Sequence, residues 1–423
     1  MIRFLVKGLL RDYHRSLFPI LIVVIGVWIT VFMQAYLKGV FSDMIDYSAR
    51  FSTGHVKIMT RAYAENEDQK PNDLALTGVD QIGEQLQQEY PGMTWVQRIL
   101  FGGLLDIPDE NGETRSQGPV MGMGIDLSSG SPEIEILNIN KALITGRLPR
   151  NQGEILISDD LARELGVHIG EAATLISSTM YGSMSVYNFT VVGTIRFGVQ
   201  AMDRSAVLAD IVDVQQALDM SNAAGEILGY LEKGVYNEER AKMIANQFNA
   251  RYQDVTDEFT PVMGTLTQLS SLGDYLGMAD SYSGIIIFTF VLVMSIVLWN
   301  AGLLGGLRRY GEVGVRLAIG EPKGHIYRAM IYESIFIGLV GSLVGTGLGL
   351  GLAYWLQIKG LDISSLVKNI TMMVPTIFRA RITPETYYIG FIPGLMSTVL
   401  GTALSGIGIY RRQTAQLFKE LET

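Results

Sequence analysis

Side chains that could carry chemistry are few and widely spaced in this chain of 423 residues. The chain has no cysteine and four histidines, no two of them within ten residues of each other: His14, His55, His168 and His325. Because zinc sites gather neighbouring ligands, a structural role is the better interpretation of His55. Glu154 and Asp159 could form a catalytic carboxylate pair on spacing alone, but we interpret both as solvated turn residues. These residues do not predict an enzyme.

A charged stretch, Gly306–Glu333, is the most informative part of the chain because it separates two long apolar runs. Ser283–Leu304 precedes it and Ile331–Leu356 follows it, and each is about as long as the roughly 20 residues that cross a hydrocarbon core. Glycines interrupt the stretch at several points. The pattern predicts a short, glycine-broken helix between two membrane spans.

This stretch contains Gly-Glu-Val-Gly-Val-Arg-Leu-Ala-Ile-Gly-Glu at residues 311–321. It resembles the Glu-Ile-Gly-x-Arg-Ala-x-Gly-Ala pattern of FtsX-like permeases, the membrane subunits of type VII ABC transporters. Glu321 replaces the last alanine of that pattern. In this family the loop docks on the ATPase, so the resemblance implies an ATPase-coupling site at these residues: Glu312, Gly314, Arg316 and Gly320.

Two further apolar runs, Leu17–Leu37 and Tyr388–Ile409, bring the count to four, which predicts an α-helical membrane protein with both termini on one side. Between the first two spans lies an insert large enough to bury its own core, which we expect to be an α+β extracytoplasmic domain. The predicted boundaries are a cytoplasmic amphipathic helix at 1–16, spans at 17–40, 281–305, 331–356 and 388–410, the extracytoplasmic domain at 41–280, the coupling segment at 306–330, an extracytoplasmic loop at 357–387 and a cytoplasmic tail at 411–423.

Charge predicts the orientation, because short cytoplasmic segments beside membrane spans are rich in lysine and arginine. Residues 41–280 hold 16 basic and 34 acidic side chains, whereas the remainder is basic enough to bring the whole chain to −9. The insert is therefore predicted to lie outside the cytoplasm of a bacterial inner membrane. The basic loop at 357–387 disagrees with this orientation. An acidic insert also argues against nucleic acid as a partner.

The insert carries a second resemblance to this family. Gly54–Met59 alternates like a strand, and its Gly-His-Val-x-Ile pattern looks like the start of the periplasmic domain in lipoprotein-releasing permeases. The residue pattern at Val79–Tyr90 predicts an amphipathic helix, and the pattern at Trp95–Ile107 predicts a strand. Leu143–Ser177 resembles a strand, helix, glycine turn and strand unit of these domains, with its helix at Asp159–Leu165.

The match continues through the strand at Phe189–Arg196 and a predicted helix at Val212–Leu218. Before these residues lies Ser177–Asn188, where one subunit of the Lol machinery has a proline-bearing hook that grips a soluble carrier. No proline occurs at these positions. The resemblance therefore implies a periplasmic domain of the MacB and Lol type without that hook residue.

Glycines recur through the third span, with small residues four apart at Gly341/Gly345 and Gly347/Gly351. Such spacing lets membrane helices approach closely. Packing within one bundle and contact with a second copy of the chain both explain it.

The sequence has no G-x-x-x-x-G-K-[ST] pattern for cradling ATP phosphates, so we expect no cofactor on this chain, with ATP and Mg²⁺ on a partner ATPase. The resemblance implies two ATPase copies, a second permease copy in a homodimer, contact with membrane lipids, and in some members a lipoprotein carrier. It implies mechanotransmission, in which ATPase closure moves the extracytoplasmic domain. Lipoprotein release is the expected task; peptide or antibiotic efflux and regulation of a cell-wall hydrolase are alternatives.

A substrate site is predicted at the outer ends of the first two spans, where flexible and aromatic side chains suit varied acyl chains. Ordinary helix packing explains the same residues: Met33, Tyr36, Leu37, Val40, Met278, Tyr282 and Ile286. The spans hold few polar groups, so we expect the substrate to enter from the side without crossing the membrane core.

Overall fold

The computed structural model of the protein describes residues 13–255, 257–270, 284–286, 288–297, 299–300, 315–362 and 377–411. The chain forms two compact units. One combines Met1–Ser42, Leu276–Leu361 and Phe378–Thr423, and the other combines Asp43–Tyr275 and Asp362–Ile377. These units follow compactness and not the membrane boundary, so the predicted segment boundaries stay predictions.

The first unit contains the long apolar helices. The described helices of the whole chain are α1 (Tyr13–Ser48), α2 (Arg61–Glu65), α3 (Val79–Glu89), α4 (Pro132–Ile136), α5 (Ile139–Ala142), α6 (Asp159–Leu165), α7 (Gln200–Ser205), α8 (Ile211–Ala217), α9 (Glu238–Asn249), α10 (Leu266–Leu269), α11 (Gly284–Val297), α12 (Lys323–Lys359) and α13 (Phe391–Arg411). A π-helical turn at Ala49–Thr53 follows α1 directly, and single 3₁₀ turns connect several elements.

Three helical stretches among the described residues are long and apolar enough to cross a membrane: Leu17–Thr53, Lys323–Lys359 and Pro384–Gly406. They coincide with the predicted first, third and fourth spans. In the region of the predicted second span the structure describes the shorter apolar helix α11. A count of three is thus supported, and the predicted second span stays a prediction.

Helices α1 and α12 meet along a seam of valines against glycines. Val23, Val27 and Val31 of α1 are fully buried, and the opposing stripe on α12 is Gly341, Gly345 and Gly349. A Cβ atom added at any of these glycines would lie 2.7–2.8 Å from a valine side-chain carbon. Glycine is therefore required for this approach, and the Gly341/Gly345 pair serves packing within one chain.

The second unit is an α+β domain. Its strands are β1 (Val56–Thr60), β2 (Leu76–Thr77), β3 (Thr94–Pro108), β4 (Thr114–Ile125), β5 (Leu143–Gly146), β6 (Glu154–Ser158), β7 (Ala172–Ser178), β8 (Met184–Ile195), β9 (Ala206–Asp210), β10 (Ala223–Ala224), β11 (Glu226–Tyr230) and β12 (Pro261–Thr265), and a short pair follows at β13 (Leu361–Asp362) and β14 (Ile377–Phe378). The predicted helices at Val79–Tyr90, Asp159–Leu165 and Val212–Leu218 correspond to α3, α6 and α8, and the predicted strand at Trp95–Ile107 corresponds to β3.

Six of these strands close into a ring in the order β3, β4, β9, β6, β8 and β7, with β7 pairing back onto β3. The long strand β3 also continues into an open sheet through β11, β1 and β12. A large apolar core that includes Ile99, Leu105, Ile155 and Val191 fills the domain. The ring removes exposed strand edges from its six members.

Charged side chains are buried where the sheet continues beyond the ring. Lys57 of β1 has no exposed side-chain area, although its strand alternates in sequence, and its Nζ lies 3.2 Å from Glu226 of β11 and 2.6 Å from Glu67. Lys70 approaches Glu226 at 3.4 Å. All five residues of β1 are buried, so both faces of the strand are covered, and the buried lysine is stabilised by paired carboxylates.

We predict that Lys57→Met destabilises the domain by about 3 kcal/mol, because Glu226 would keep its buried charge without its nearest cation. The double variant Lys57→Met/Glu226→Leu should regain most of this loss, since an apolar pair of similar size carries no buried charge. The measurement is urea unfolding followed by Trp95 fluorescence, with the other tryptophans changed to phenylalanine. Equal stability of the single variant and wild type would contradict the assignment.

The glycine seam gives a matched pair of substitutions. Gly345→Ala places a Cβ 2.8 Å from both the Val24 carbonyl oxygen and the Val27 Cβ, so it should cost about 1–3 kcal/mol by overpacking. Gly347→Ala meets nothing within 4 Å and should be neutral or stabilising by up to about 1 kcal/mol from helix propensity. Detergent-induced unfolding of the purified protein measures both changes. Equal effects would show that the seam does not decide the packing.

Candidate functional site

The predicted ATPase-coupling residues lie partly within the described structure. Glu312 and Gly314 lie outside the described residues. Arg316 lies in a helical turn at 315–318, and Gly320 follows the end of that turn with a φ of +93°. The described part of the coupling segment therefore begins at Val315.

The turn at Gly320 has the hydrogen bonds of a Schellman motif. The Gly320 N–H donates to the Leu317 carbonyl at 3.1 Å, and the Glu321 N–H donates to the Arg316 carbonyl at 3.0 Å. The left-handed backbone at Gly320 is the conformation that this motif requires at the residue after a helix, and glycine adopts it without strain. Pro322 then caps the start of α12. Gly320 thus fixes a sharp reversal between two helices.

The Glu321 carboxylate contacts side chains on both sides of the turn at Gly320. It lies 3.7 Å from Arg316 Nε and 2.5 Å from His325 Nδ1. All three side chains are partly exposed, so this network contributes little stability by itself. Glu321, the residue that departs from the family pattern, therefore lies between Arg316 and the start of α12.

The apolar residues in the described part of the coupling segment differ in exposure: one packs on α12 and two face outward. Leu317 packs against Ile326 and Met330 of α12. Val315 and Ile319, one helical turn apart, are 53% and 80% exposed. Exposed aliphatic side chains beside a positioned arginine are typical of a protein-binding surface.

Only some of the predicted substrate-contact residues lie within the described structure. Met33, Tyr36, Leu37, Val40 and Ile286 are each half-buried in their helices, whereas Met278 and Tyr282 lie outside the described residues. The Tyr36 ring stacks on Phe32 with centroids 6.1 Å apart. Both rings pack on a small apolar cluster formed by Ala35, Ala353, Leu356 and Ala380. The substrate site stays a prediction.

The hairpin between β7 and β8 contains the Ser177–Asn188 segment that the sequence resemblance singled out. Its strands pair as far as Ser178 and Met184, and the Thr179 N–H donates to the Ser183 carbonyl at 2.7 Å. Tyr181 and Met184 are three-quarters exposed. The hairpin thus ends in a tight turn with exposed apolar side chains.

The carboxylates that suggested catalysis have structural partners. Glu154 accepts two hydrogen bonds from Arg147 at 2.6 Å and a third from the Arg150 N–H. These donors, with the Arg147 bonds foremost, hold the pKa of Glu154 far below its usual range. Its interpretation as a solvated turn residue was wrong, because the carboxylate organises the Gly146–Glu154 turn. Asp159 pairs with Arg196 at 2.7 Å.

His55 is buried and accepts a hydrogen bond from the Leu231 N–H at Nδ1. Burial lowers its pKa to about 4, which keeps the ring neutral at ordinary pH. In the described part of the chain no group of three or more acidic, histidine or cysteine side chains could hold a metal. The structure therefore gives His55 a structural role.

The sequence analysis did not identify the buried ion pair of Arg98 and Glu133, whose side chains are 1% and 0% exposed. A signal was present, because Arg98 interrupts the apolar strand Trp95–Ile107. A charged residue within an apolar strand requires a buried partner, but the partner lies 35 residues away on α4 and no local pattern points to it.

Comparison with known proteins identifies both halves of the chain. The MacB-like periplasmic core domain family model matches residues 16–247, and the FtsX-like permease C-terminal family model matches residues 284–414. The second match includes the coupling segment and the helices α11 to α13. The family resemblance inferred from the sequence is thus confirmed.

Several known proteins are similar to this chain at low sequence identity. Lipoprotein-releasing system transmembrane protein LolC of Haemophilus influenzae is 23% identical over 66% of this chain and 67% of its own length, and LolC of Xylella fastidiosa is 22% identical over 56% and 54%. The probable export ATP-binding/permease protein MacB of Pseudomonas entomophila is 21% identical over 56% of this chain and 37% of its own length. The chain thus spans between about one third and two thirds of these relatives.

Among solved structures, the periplasmic region of MacB from Actinobacillus actinomycetemcomitans matches half of this chain and 88% of its own length, with 9% identity and a TM-score of 0.34. That score is too low to support an argument. The family models cover the domain and the membrane helices independently of it. The chain belongs to the FtsX-like permeases of ABC transporters that carry a MacB-like periplasmic core domain.

Proposed function

We propose that this chain is the transmembrane subunit of an ABC transporter in which a separate cytoplasmic ATPase drives movement of the periplasmic domain. The observation that carries the proposal is the coupling segment within the FtsX-like part of the chain. Its Schellman turn at Gly320 holds Arg316 in place beside the exposed Ile319, immediately before the membrane-length helix α12. A rigid, exposed turn on such a helix can receive a push from a protein partner.

In this proposal ATP and Mg²⁺ bind to the partner ATPase, since the sequence of this chain lacks a phosphate-binding loop of the Walker type. Two ATPase copies facing two permease copies would form the complete transporter, with the permease as a homodimer in the bacterial inner membrane and the large domain in the periplasm. The acidic domain and the basic central loop support this orientation.

Lipoprotein release is the proposed task, and similarity to two LolC proteins supports it. Export of a peptide or antibiotic is the second candidate, supported by similarity to the probable export protein MacB and by a hairpin turn without the hook proline. A soluble lipoprotein carrier would bind the periplasmic domain in the first case. Regulation of a cell-wall hydrolase is a further alternative, which no residue of this chain favours.

Lateral entry of the substrate is supported by the polar side chains of the helices. Thr30 donates to the Gly26 carbonyl at 2.8 Å, Ser295 to Val291 at 2.5 Å and Thr398 to Leu395 at 2.9 Å. These hydroxyl groups are satisfied by their own helices. A polar solute would find little in them to replace its water, whereas an acyl chain from the outer leaflet requires no polar route.

We predict that Arg316→Glu uncouples the transporter. The reversed charge repels Glu321 and opposes a surface that recognises arginine, so substrate release per ATP hydrolysed should fall on the order of tenfold. ATPase copurification and release are measured together in reconstituted vesicles.

Glu321→Ala is the matched control for this substitution. It removes only the weak, exposed ion pair of Arg316 and restores the residue of the family pattern, so coupling should be retained. Full coupling by the Arg316→Glu protein, with normal ATPase copurification, would exclude the docking role.

The path of the substrate is tested in vesicles that contain the permease and its ATPase. A lipidated protein in the outer leaflet should be extracted when ATP is added, and photocrosslinkers at Tyr36 should capture that protein. Labelling only of neighbouring helices would favour ordinary packing at Tyr36. Passage of a soluble substrate between the two aqueous sides would contradict lateral entry.

A further inference from the structure

A buried polar cluster holds the end of the first long helix. Arg98 of β3 makes two hydrogen bonds to Glu133 of α4, at 2.7 and 2.8 Å, and its Nη1 donates to the Arg50 carbonyl at 2.6 Å. Its Nη2 also lies 3.2 Å from the hydroxyl oxygen of Tyr230, and that hydroxyl donates to the Ala49 carbonyl at 2.8 Å. We call Arg98, Glu133 and Tyr230 the clamp.

The clamp binds carbonyl groups that a helix end normally leaves without partners. Ala49 and Arg50 begin the π-helical turn that continues α1 without interruption. The Ala49 carbonyl also accepts the Gly54 N–H at 3.0 Å. A cation near these carbonyls is favoured by the helix dipole. The last turn is therefore fastened by directional bonds from two strands, β3 and β11.

Apolar contacts accompany these bonds. Phe51 is buried and meets the Phe197 ring edge-on with centroids 5.1 Å apart. Ala49 packs with Leu266, at the start of the short helix α10 through which the chain leaves the sheet. The entry and exit of the domain are thus packed side by side.

Breaking the hydrogen bonds of the clamp is energetically costly because they involve a buried charge. Burial alone lowers the pKa of the Arg98 guanidinium, but the Glu133 carboxylate raises it above its ordinary value, so the guanidinium keeps its charge. A helix that slid or rotated against the sheet would break bonds to a buried charge, and an unmade bond of that kind is costly. Apolar packing alone is not directional and resists such sliding less.

We infer that the clamp is the positioning device through which movement of the first long helix reaches the periplasmic domain. This inference rests on the proposed function, because it assigns to Arg98, Glu133 and Tyr230 the transmission of the ATP-driven movement. None of the three residues acts on a substrate or on ATP. They keep the helix end and the sheet moving as one body.

The test uses the full chain with its ATPase in vesicles and the double variant Arg98→Met/Glu133→Met. Because both charges are removed together, no buried ion is left unpaired. Lipidated-protein release per ATP hydrolysed should fall roughly tenfold, the scale of losing charge-assisted hydrogen bonds, while the urea midpoint of the domain is retained. Hydrogen exchange at the Gly54 amide should accelerate at least about tenfold on the same ground, with Ile99 and Val207 unchanged.

The matched control is Arg115→Met/Glu171→Met, which removes another Arg–Glu pair of the same domain and should leave release per ATP unchanged. If the clamp variant lowers the urea midpoint, Tyr230→Phe decides, since it removes only the hydroxyl and should still reduce release per ATP. Wild-type coupling in the clamp variant and in Tyr230→Phe would overturn the inference and leave the proposed function standing. Absence of ATP-driven release in the wild-type protein would overturn the proposed function itself, whereas the hydrogen-exchange result at Gly54 would still report on the clamp.

Discussion

The close approach of α1 and α12 is the constraint on which the membrane part of the structure depends. Two membrane helices gain little from the hydrophobic effect, because lipid is as apolar as their side chains, so they associate through close contact and van der Waals packing. Valines of α1 at every fourth position fit the glycines at every fourth position of α12. Val27 also lies against Gly390 and Gly394 near and within α13. Buried hydroxyl groups of Ser342 and Thr346 on α12 also face Gly394 and Gly390, so the contact of α12 with this part of the chain is partly polar.

The periplasmic domain follows a different rule, because water and not lipid surrounds it. Its strands close into a ring around an apolar core, and one group of its buried charges lies where β3 leaves the ring for the open sheet. Arg98 on β3 and Lys57 and Glu226 on the open sheet are all buried with charged partners. Such pairs are weak evidence for stability. They instead fix the positions of the segments that they join, among them the last turn that follows α1.

Features that depend on short stretches of sequence could be predicted. The helix at Asp159–Leu165 has the predicted bounds, because Ser158 caps its first turn and Gly166 adopts the left-handed conformation at its end. The strand β3 extends one residue beyond the prediction at each end, and the helix α3 ends one residue before the predicted end. The family, the α+β class of the domain and three apolar spans were likewise predicted, since each depends on composition, period or short motifs.

Pairing between distant strands could not be predicted from the sequence. The closure of β7 onto β3 joins residues about 70 positions apart in the chain, and nothing in either strand specifies that register. The burial of Lys57 was missed for the same reason, since its alternating strand gives no sign that both faces are covered. In the predicted coupling segment, Gly320 and Arg316 were selected by resemblance, but the contacts of Glu321 with Arg316 and His325 depend on the turn that Gly320 makes.

Directional bonds and non-directional packing occupy different parts of this chain, and the proposed mechanism needs both. The turn at Gly320 and the helix end at Ala49 and Arg50 are held by hydrogen bonds that allow one arrangement. The seam between α1 and α12 consists of valine methyl groups against glycine backbone, where small shifts exchange one apolar contact for another. A subunit that transmits motion needs fixed attachment points and helices whose packing tolerates displacement. Substituting polar bonds into the seam would be expected to stabilise one packing and to oppose the stroke, which is a physical reason for such a seam to be built from glycine and valine.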